Sequence, residues 1–120
     1  MSVADGTAGG AVLTNRQRRL CVLLLLASGH SSKEMAHMLD TSKATVDNDA
    51  AWWETRFGAR SRAQTAAVAI AAALLRPSDV WFDGTRAGLL AFVAEREHDL
   101  DRVFSRIPPF YSMVIPPGGS

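Results

Sequence analysis

Residues 29–58 read GHSSKEMAHMLDTSKATVDNDAAWWETRFG, and this stretch decides the fold. Gly29 suits the left-handed conformation that ends a helix. Ser31 followed three residues later by Glu34 is a capping-box pattern, in which each residue satisfies a free backbone N–H at the start of a helix. The segment therefore predicts that one helix ends at Gly29 and that a short second helix covers residues 32–39.

A third helix is predicted after a turn of only a few residues. Ser42 is positioned to cap its start and Gly58 to end it, which places the helix at about residues 43–57. Its apolar residues recur every three or four positions: Val46, Ala50, Trp53 and Phe57. Two short helices joined by such a turn can place the second one in the major groove of DNA. Many small helical bundles have similar loops, so the spacing alone leaves DNA binding and an ordinary bundle both open.

The same signals flank this pair of helices on both sides. Further capping-box patterns occur at Thr14 with Gln17 and at Ser61 with Gln64. The first predicts helix one at about residues 15–28, with leucines at helical spacing. The second begins an alanine-rich run that predicts helix four at residues 63–75, because Pro77 cannot continue a helix without losing a hydrogen bond.

Several segments of the chain together carry a longer pattern. They are LTNRQ at residues 13–17, LLLASGHSSKEMA at residues 24–36, Leu39, Ser42, Thr45-Val46, Trp53, Arg56-Phe57-Gly58 and Arg62-Ala63. This ordered series resembles the LuxR/GerE type of helix-turn-helix DNA-binding domain. The resemblance covers residues 13–76, which are 64 of the 120 residues.

The resemblance implies an all-α fold, namely a four-helix LuxR/GerE-like helix-turn-helix domain, here followed by a C-terminal helical extension. It implies a DNA-binding transcription regulator whose third helix enters the major groove of double-stranded DNA, with no enzyme activity and no cofactor. By position in the pattern, Lys33 and Thr45 would touch phosphates, and Asp47, Asn48 and Ala51 would face base edges. The full set of expected DNA-binding residues is Lys33, Lys43, Thr45, Asp47, Asn48, Ala51 and Arg56.

Two carboxylates in the third helix depart from the family pattern. The family usually has lysine where Asp47 stands and often has histidine where Asp49 stands. Carboxylates oppose the counterion release that drives DNA binding, although an aspartate can accept a hydrogen bond from a cytosine amino group. The pair is therefore either a cytosine-reading device or solvated surface. The second possibility supports an alternative function, a protein-interaction module that keeps the fold, has lost DNA binding and sequesters a regulator or polymerase component.

Three other residues of the helical region have a predicted place. Trp52 and Trp53 are adjacent and must point in different directions, and the apolar spacing assigns Trp53 to the core. Trp52 is then a partly exposed aromatic residue that packs on helix one, on DNA sugars or on a partner. Cys21 is the single cysteine of the chain and lies among leucines, which predicts a core residue and excludes an intrachain disulfide.

Other functional classes find little support in the sequence. His30, His37 and His98 lack the spacing of metal ligands, and no nucleophile elbow or glycine-rich phosphate loop is present. The long apolar run at residues 20–27 is eight residues, far short of a membrane span. We expect a cytoplasmic protein with a disordered leader at residues 1–12.

Charge is divided unevenly along the chain. Residues 13–76 hold nine Lys and Arg against five Asp and Glu, a net charge of +4, whereas the chain from residue 77 onward holds four against six, a net charge of −2. The basic part suits a polyanion such as DNA, and the acidic part suits a protein partner or simple solubility.

The region after Pro77 lies outside the family pattern. We divide it into a helical extension at residues 77–107 and a proline-rich tail at residues 108–120, and expect the apolar cluster at residues 80–82 to dock on the bundle. A stripe of apolar residues at helical spacing predicts a fifth helix at about residues 85–107. Its expected interface residues are Leu89, Val93, Leu100, Val103, Phe104 and Ile107. Together with helix four, this stripe would form a homodimer or bind a protein partner, an interpretation that competes with packing on its own domain.

Overall fold

The computed structural model describes residues 13–96, and every regular element in that range is helical. The elements are α1 (Asn15–Ala27), α2 (Ser32–Met38), α3 (Lys43–Phe57), α4 (Arg62–Ala71), a 3-10 helix (Pro77–Trp81) and α5 (Arg86–Arg96). The predicted all-α class is confirmed. Within the described range, no helix has the length and apolar character needed to cross a bilayer.

The predicted caps are present at the starts and ends of the helices, except that the Ser61 capping box is incomplete. Ser61 accepts from the backbone N–H of Gln64, but the Gln64 side chain accepts from the backbone N–H of Arg60 at 2.6 Å. Thr14 and Ser31 each form a complete capping box, and Ser42 accepts a hydrogen bond from the backbone N–H of Thr45. The two glycines that were predicted to end helices have positive φ angles, 91° at Gly29 and 65° at Gly58. These local signals explain why the first three helices lie within one residue of their predicted bounds.

Helix α4 ends four residues before the predicted end at residue 75. Its last residue is Ala71, and Ala73 adopts a left-handed conformation with φ of 63°. The backbone N–H groups of Leu74 and Leu75 both donate to the carbonyl of Ala69, which closes the helix. The reversal turns both leucines into the core, where they are 4% and 2% exposed. Burial of two leucines offsets the strain of a left-handed alanine.

Helix α1 is the centre of the molecule. All residues from Leu20 to Leu26 are buried, so the second half of this helix is apolar on every side, whereas residues 15–19 are polar. It contacts α2, α3, α4, α5 and the 3-10 helix. A helix that is hydrophobic all round requires cover on all of its faces, and the extension supplies one of those faces.

The extension packs on its own chain. Leu89, Phe92 and Val93 of α5 are 3%, 7% and 5% exposed and belong to the same core cluster as α1. The structure thus places two expected interface residues, Leu89 and Val93, inside the core of their own chain, because α1 offers them a free apolar face. The other expected interface residues, Leu100, Val103, Phe104 and Ile107, lie outside the described residues.

Docking of the apolar cluster at residues 80–82 is only partly as expected. Phe82 packs against the core, but Trp81 is 84% exposed. Gly84, three residues later, has φ of 84° and fits tightly against Met38 of α2 and His30 in the turn after α1. A Cβ atom there would lie 2.6 Å from the Cε of Met38 and 3.2 Å from the His30 ring. This loop therefore follows the surface of the bundle while Trp81 points away from it.

The thiol of Cys21 is expected to resist alkylation in the folded protein. Cys21 is fully buried, and burial raises the pKa of its thiol to about 12, so almost no thiolate forms near neutral pH. We expect iodoacetamide at about pH 8 to leave native protein unmodified and to label the urea-unfolded chain rapidly. Fast labelling of the native protein would contradict the placement of Cys21 in the core.

Candidate nucleic-acid interface

One face of α3 is exposed along the length of the helix. Ala44, Asn48, Ala51 and Thr55 follow the spacing of a single helical face, and all four are exposed. We call these four residues the α3 ridge. The opposite face is buried and consists of Val46, Asp49, Ala50, Trp53 and Phe57. The ridge carries no charged side chain.

Asp47 lies beside the ridge and takes part in a cluster that joins three helices, while its side chain stays 40% exposed. Lys43 Nζ donates to its Oδ2 at 2.8 Å, Ser32 Oγ donates to its Oδ1 at 2.5 Å, and Arg62 Nη2 lies 3.2 Å from the same Oδ1. Arg62 also donates to Ser32 Oγ. We call these four residues the Asp47 cluster. Within it, the negative charge of Asp47 faces two positive charges.

The pKa of Asp47 is lowered in this cluster. The hydrogen bond from Lys43 is the largest cause, followed by the hydrogen bond from Ser32, and the charges of Lys43 and Arg62 act in the same direction. The carboxylate therefore stays ionised at neutral pH, and both of its oxygens have donors within the protein.

Asp49 points away from the ridge and is 2% exposed. Arg18 of α1 binds it through two hydrogen bonds, with Nε 2.6 Å from Oδ2 and Nη2 3.1 Å from Oδ1. Arg19 Nε lies 3.5 Å from Oδ1. The ion pair with α1 turns the carboxylate of Asp49 inward. Asp49 is therefore neither solvated nor placed to reach a cytosine, and both expectations for it were wrong.

The two tryptophans have different surroundings. Trp53 is fully buried and donates from Nε1 to the backbone oxygen of Arg19 at 2.7 Å, which confirms its predicted place in the core. Trp52 meets the Trp53 ring edge-on at a centroid distance of 4.9 Å. The guanidinium groups of Arg19 and Arg56 lie 4.6 and 5.0 Å from the Trp52 ring centre. Trp52 therefore packs on α1, and Arg19, Trp52 and Arg56 form what we call the Trp52 cluster.

The structure distributes the predicted site residues over the ridge and its flanks. Exposed residues of the predicted set are Lys33, Lys43, Asn48 and Ala51, and half-buried ones are Thr45, Asp47 and Arg56. Lys33 and Lys43 both lie in first turns, at the starts of α2 and α3. The hydroxyl groups of Thr45 and Ser42 form one hydrogen bond, with 2.9 Å between Oγ1 and Oγ.

Sequence reasoning missed several residues of this surface. Ala44 and Thr55 belong to the ridge and could have been found, because they are four residues before and seven residues after Asn48. Ser32 and Arg62 in the Asp47 cluster, and Arg18 beneath Asp49, had no local signal. Within residues 13–96, no group of three or more His, Cys, Asp and Glu side chains is arranged to hold a metal ion.

Comparison with known proteins identifies one family. Residues 11–69 match the family model GerE, described as bacterial regulatory proteins of the luxR family. The matched range includes α1, α2, α3 and most of α4, and it ends before the 3-10 helix and α5. No curated protein and no solved structure shows significant similarity to the chain.

Proposed function

Residues 11–69 form a GerE-type helix-turn-helix domain of the luxR family of bacterial regulatory proteins, and on this premise we propose that the chain regulates transcription by placing α3 in the major groove of double-stranded DNA. The family supplies the general function of a DNA-binding regulator. The use of α3, the contacts that it makes and the partners of the chain are our proposal.

The observation that carries the proposal is the arrangement of α3. Its uncharged ridge is exposed and lies between the Asp47 cluster on one side and the Trp52 cluster on the other. A helix with its side chains is about 10–12 Å in diameter, which suits a major groove about 12 Å wide. Ala44 and Thr55 are eleven positions apart, so the ridge runs for about 16 Å along the helix axis. An uncharged ridge would face the bases, and the cationic side chains on its two flanks, Lys43 and Arg62 on one and Arg19 and Arg56 on the other, would face the two phosphate backbones.

Phosphate contacts are best placed at the starts of α2 and α3. Lys33 and Lys43 lie there, where the backbone N–H groups of a helix also attract anions. The Asp47 cluster does not oppose such contacts, because the charge of Asp47 is balanced by Lys43 and Arg62. Arg56 of the Trp52 cluster would face the other backbone.

The alternative function, a protein-interaction module without DNA affinity, drew its support from the two carboxylates of α3. Asp49 is buried under Arg18, and Asp47 is neutralised within its cluster, so neither presents an unbalanced charge to DNA. That support is therefore lost, and DNA binding is the function that we favour.

We further propose that the chain forms a homodimer or binds a protein partner through α4 and the extension. Ala63, Ala67 and Ala71 are exposed at four-residue intervals on α4, so another helix can approach this face closely. Among the described residues of the extension, Trp81 is a large aromatic side chain that is exposed. A regulator that acts on bacterial DNA works in the cytoplasm, which is the location that we expect.

Lys33→Ala is expected to weaken binding to all DNA duplexes by a similar factor. Loss of one phosphate contact should also lower the slope of log K against log salt concentration by about 1. Fluorescence anisotropy with labelled duplex over a range of salt concentrations measures both quantities. Arg86→Ala is the matched control, since it removes an exposed positive charge from α5, which packs on α1. Equal slopes for the two variants would contradict the proposed orientation, and absence of duplex binding at low salt would contradict DNA binding itself.

A further inference from the structure

The side chains of the α3 ridge carry methyl groups and one amide. Ala44 and Ala51 each present a methyl group, Thr55 presents a methyl and a hydroxyl group, and Asn48 presents the amide. In the major groove, alanine and threonine methyl groups contact the C5-methyl group of thymine. Asparagine can bind adenine through two hydrogen bonds, to N6 and N7. The chemistry of the ridge thus matches A·T base pairs.

Side chains that read G·C pairs are engaged elsewhere. Cytosine is read by carboxylates, but Asp49 is buried and both oxygens of Asp47 already accept hydrogen bonds. Guanine is read by arginine or lysine, and the two such residues of α3 lie on its flanks. Lys43 is held by Asp47 at 2.8 Å, and Arg56 lies against the ring of Trp52.

Glu54 is the remaining carboxylate of α3. It is half-buried and seven residues after Asp47, which places it on the same flank and beside the ridge. A base pair under the centre of the ridge would therefore meet Asn48 and methyl groups before it meets any charged side chain.

We propose that α3 selects A·T base pairs, with one adenine bound by Asn48 and neighbouring thymines contacted through their methyl groups by Ala44, Ala51 and Thr55. This inference rests on the proposed function, because it requires α3 to lie in the major groove. It adds the class of DNA sequence that the chain binds.

Selection from a random pool of duplexes with the full chain tests the base preference. The selected sites are expected to contain a run of A·T pairs at the positions nearest α3. Replacement of each contacted thymine by deoxyuracil removes the methyl group without changing base pairing. Binding should weaken about fourfold for each replacement, the factor that corresponds to about 0.8 kcal/mol for one buried methyl group. This measurement uses the unaltered protein, so folding of a variant cannot confuse it.

Asn48→Ala tests the adenine contact. We expect it to weaken binding to the selected site about 5- to 150-fold and to leave binding to unrelated duplexes nearly unchanged. Lys33→Ala is the matched control, because a phosphate contact should weaken selected and unrelated duplexes alike. Thermal melting checks that both variants remain folded, which their exposure on the surface favours.

The outcomes separate this inference from the function on which it rests. Enrichment of G·C-rich sites, no enrichment in a pool that is still bound, or no effect of deoxyuracil would overturn A·T selection and leave DNA binding in place. Failure to bind any duplex at low salt would overturn both.

Discussion

Leu89→Ala is expected to lower the free energy of unfolding by about 2 to 5 kcal/mol, whereas Leu90→Ala should lower it by less than about 1 kcal/mol. The two leucines are neighbours on α5 with the same side chain, but Leu89 is 3% exposed and Leu90 is 37% exposed. Truncation of Leu89 leaves a cavity beside α1, and the surrounding core relaxes only partly around it. Truncation of Leu90 removes contacts at the surface.

Urea unfolding followed by tryptophan fluorescence measures both values, since Trp53 is fully buried and reports on the core. Measurement at several protein concentrations distinguishes a core from an interface between subunits. A loss that is equal for the two variants would contradict the placement of Leu89 in the core, and a loss that depends on protein concentration would show that another chain stabilises α5.

The different burial of Leu89 and Leu90 concerns the role of the extension. The sequence supported two interpretations of the α5 stripe, packing at home or an interface, because a small four-helix bundle offers limited apolar surface. Helix α1 resolves the choice for the described part of α5. Its residues from Leu20 to Leu26 are all buried, and one of its faces is covered by Leu89, Phe92 and Val93. An apolar run without a polar side was the signal that a further element covers α1.

Helix ends could be predicted where a side chain or a glycine decides them locally. Ser31, Ser42 and Gly58 act on backbone groups within a few residues, so their effect is readable from spacing alone. The end of α4 could not be predicted in this way. Alanine has no special preference for a left-handed conformation. Ala73 adopts one because that conformation lets Leu74 and Leu75 become buried in the core.

In the candidate site, too, features set by local spacing could be predicted and features set by long-range contacts could not. Periodicity places Asn48 and Ala51 on the exposed face of α3 and Trp53 on the buried one, as the structure shows. The partners of the two carboxylates depend on how helices cross. Asp49 pairs with Arg18, 31 positions earlier, and Asp47 with Arg62, 15 positions later. No local pattern could identify either pair.

Asp49→Asn is expected to lower the free energy of unfolding by about 3 kcal/mol. The carboxylate side chain is only 3% exposed and holds Arg18 at 2.6 Å, with Arg19 at 3.5 Å. Asparagine keeps the shape but not the charge, so it leaves two partly buried guanidinium groups without their anion. The side chains of Arg18 and Arg19 keep 21% and 30% exposure, which lets water offset part of the loss. Thermal or urea unfolding measures the change.

A double replacement tests the physical reason for that loss. Arg18→Met combined with Asp49→Leu exchanges the ion pair for apolar side chains, and such exchanges are often neutral or stabilising. We therefore expect the double variant to recover most of the stability that Asp49→Asn loses. A double variant as unstable as the single one would show that Asp49 acts through some contact other than the pair with Arg18.

The same variants decide whether Asp49 takes part in sequence recognition. Its carboxylate lies on the buried face of α3 and is held by α1, so removing it should leave the base preference of the folded protein unchanged at every position. Selection from a random pool, carried out well below the melting temperature of the double variant, measures that preference. A change confined to one G·C pair would mean that Asp49 leaves Arg18 to bind cytosine. If the base preference is unchanged and the stability is recovered, the role of Asp49 is to hold α3 against α1 through its ion pair with Arg18.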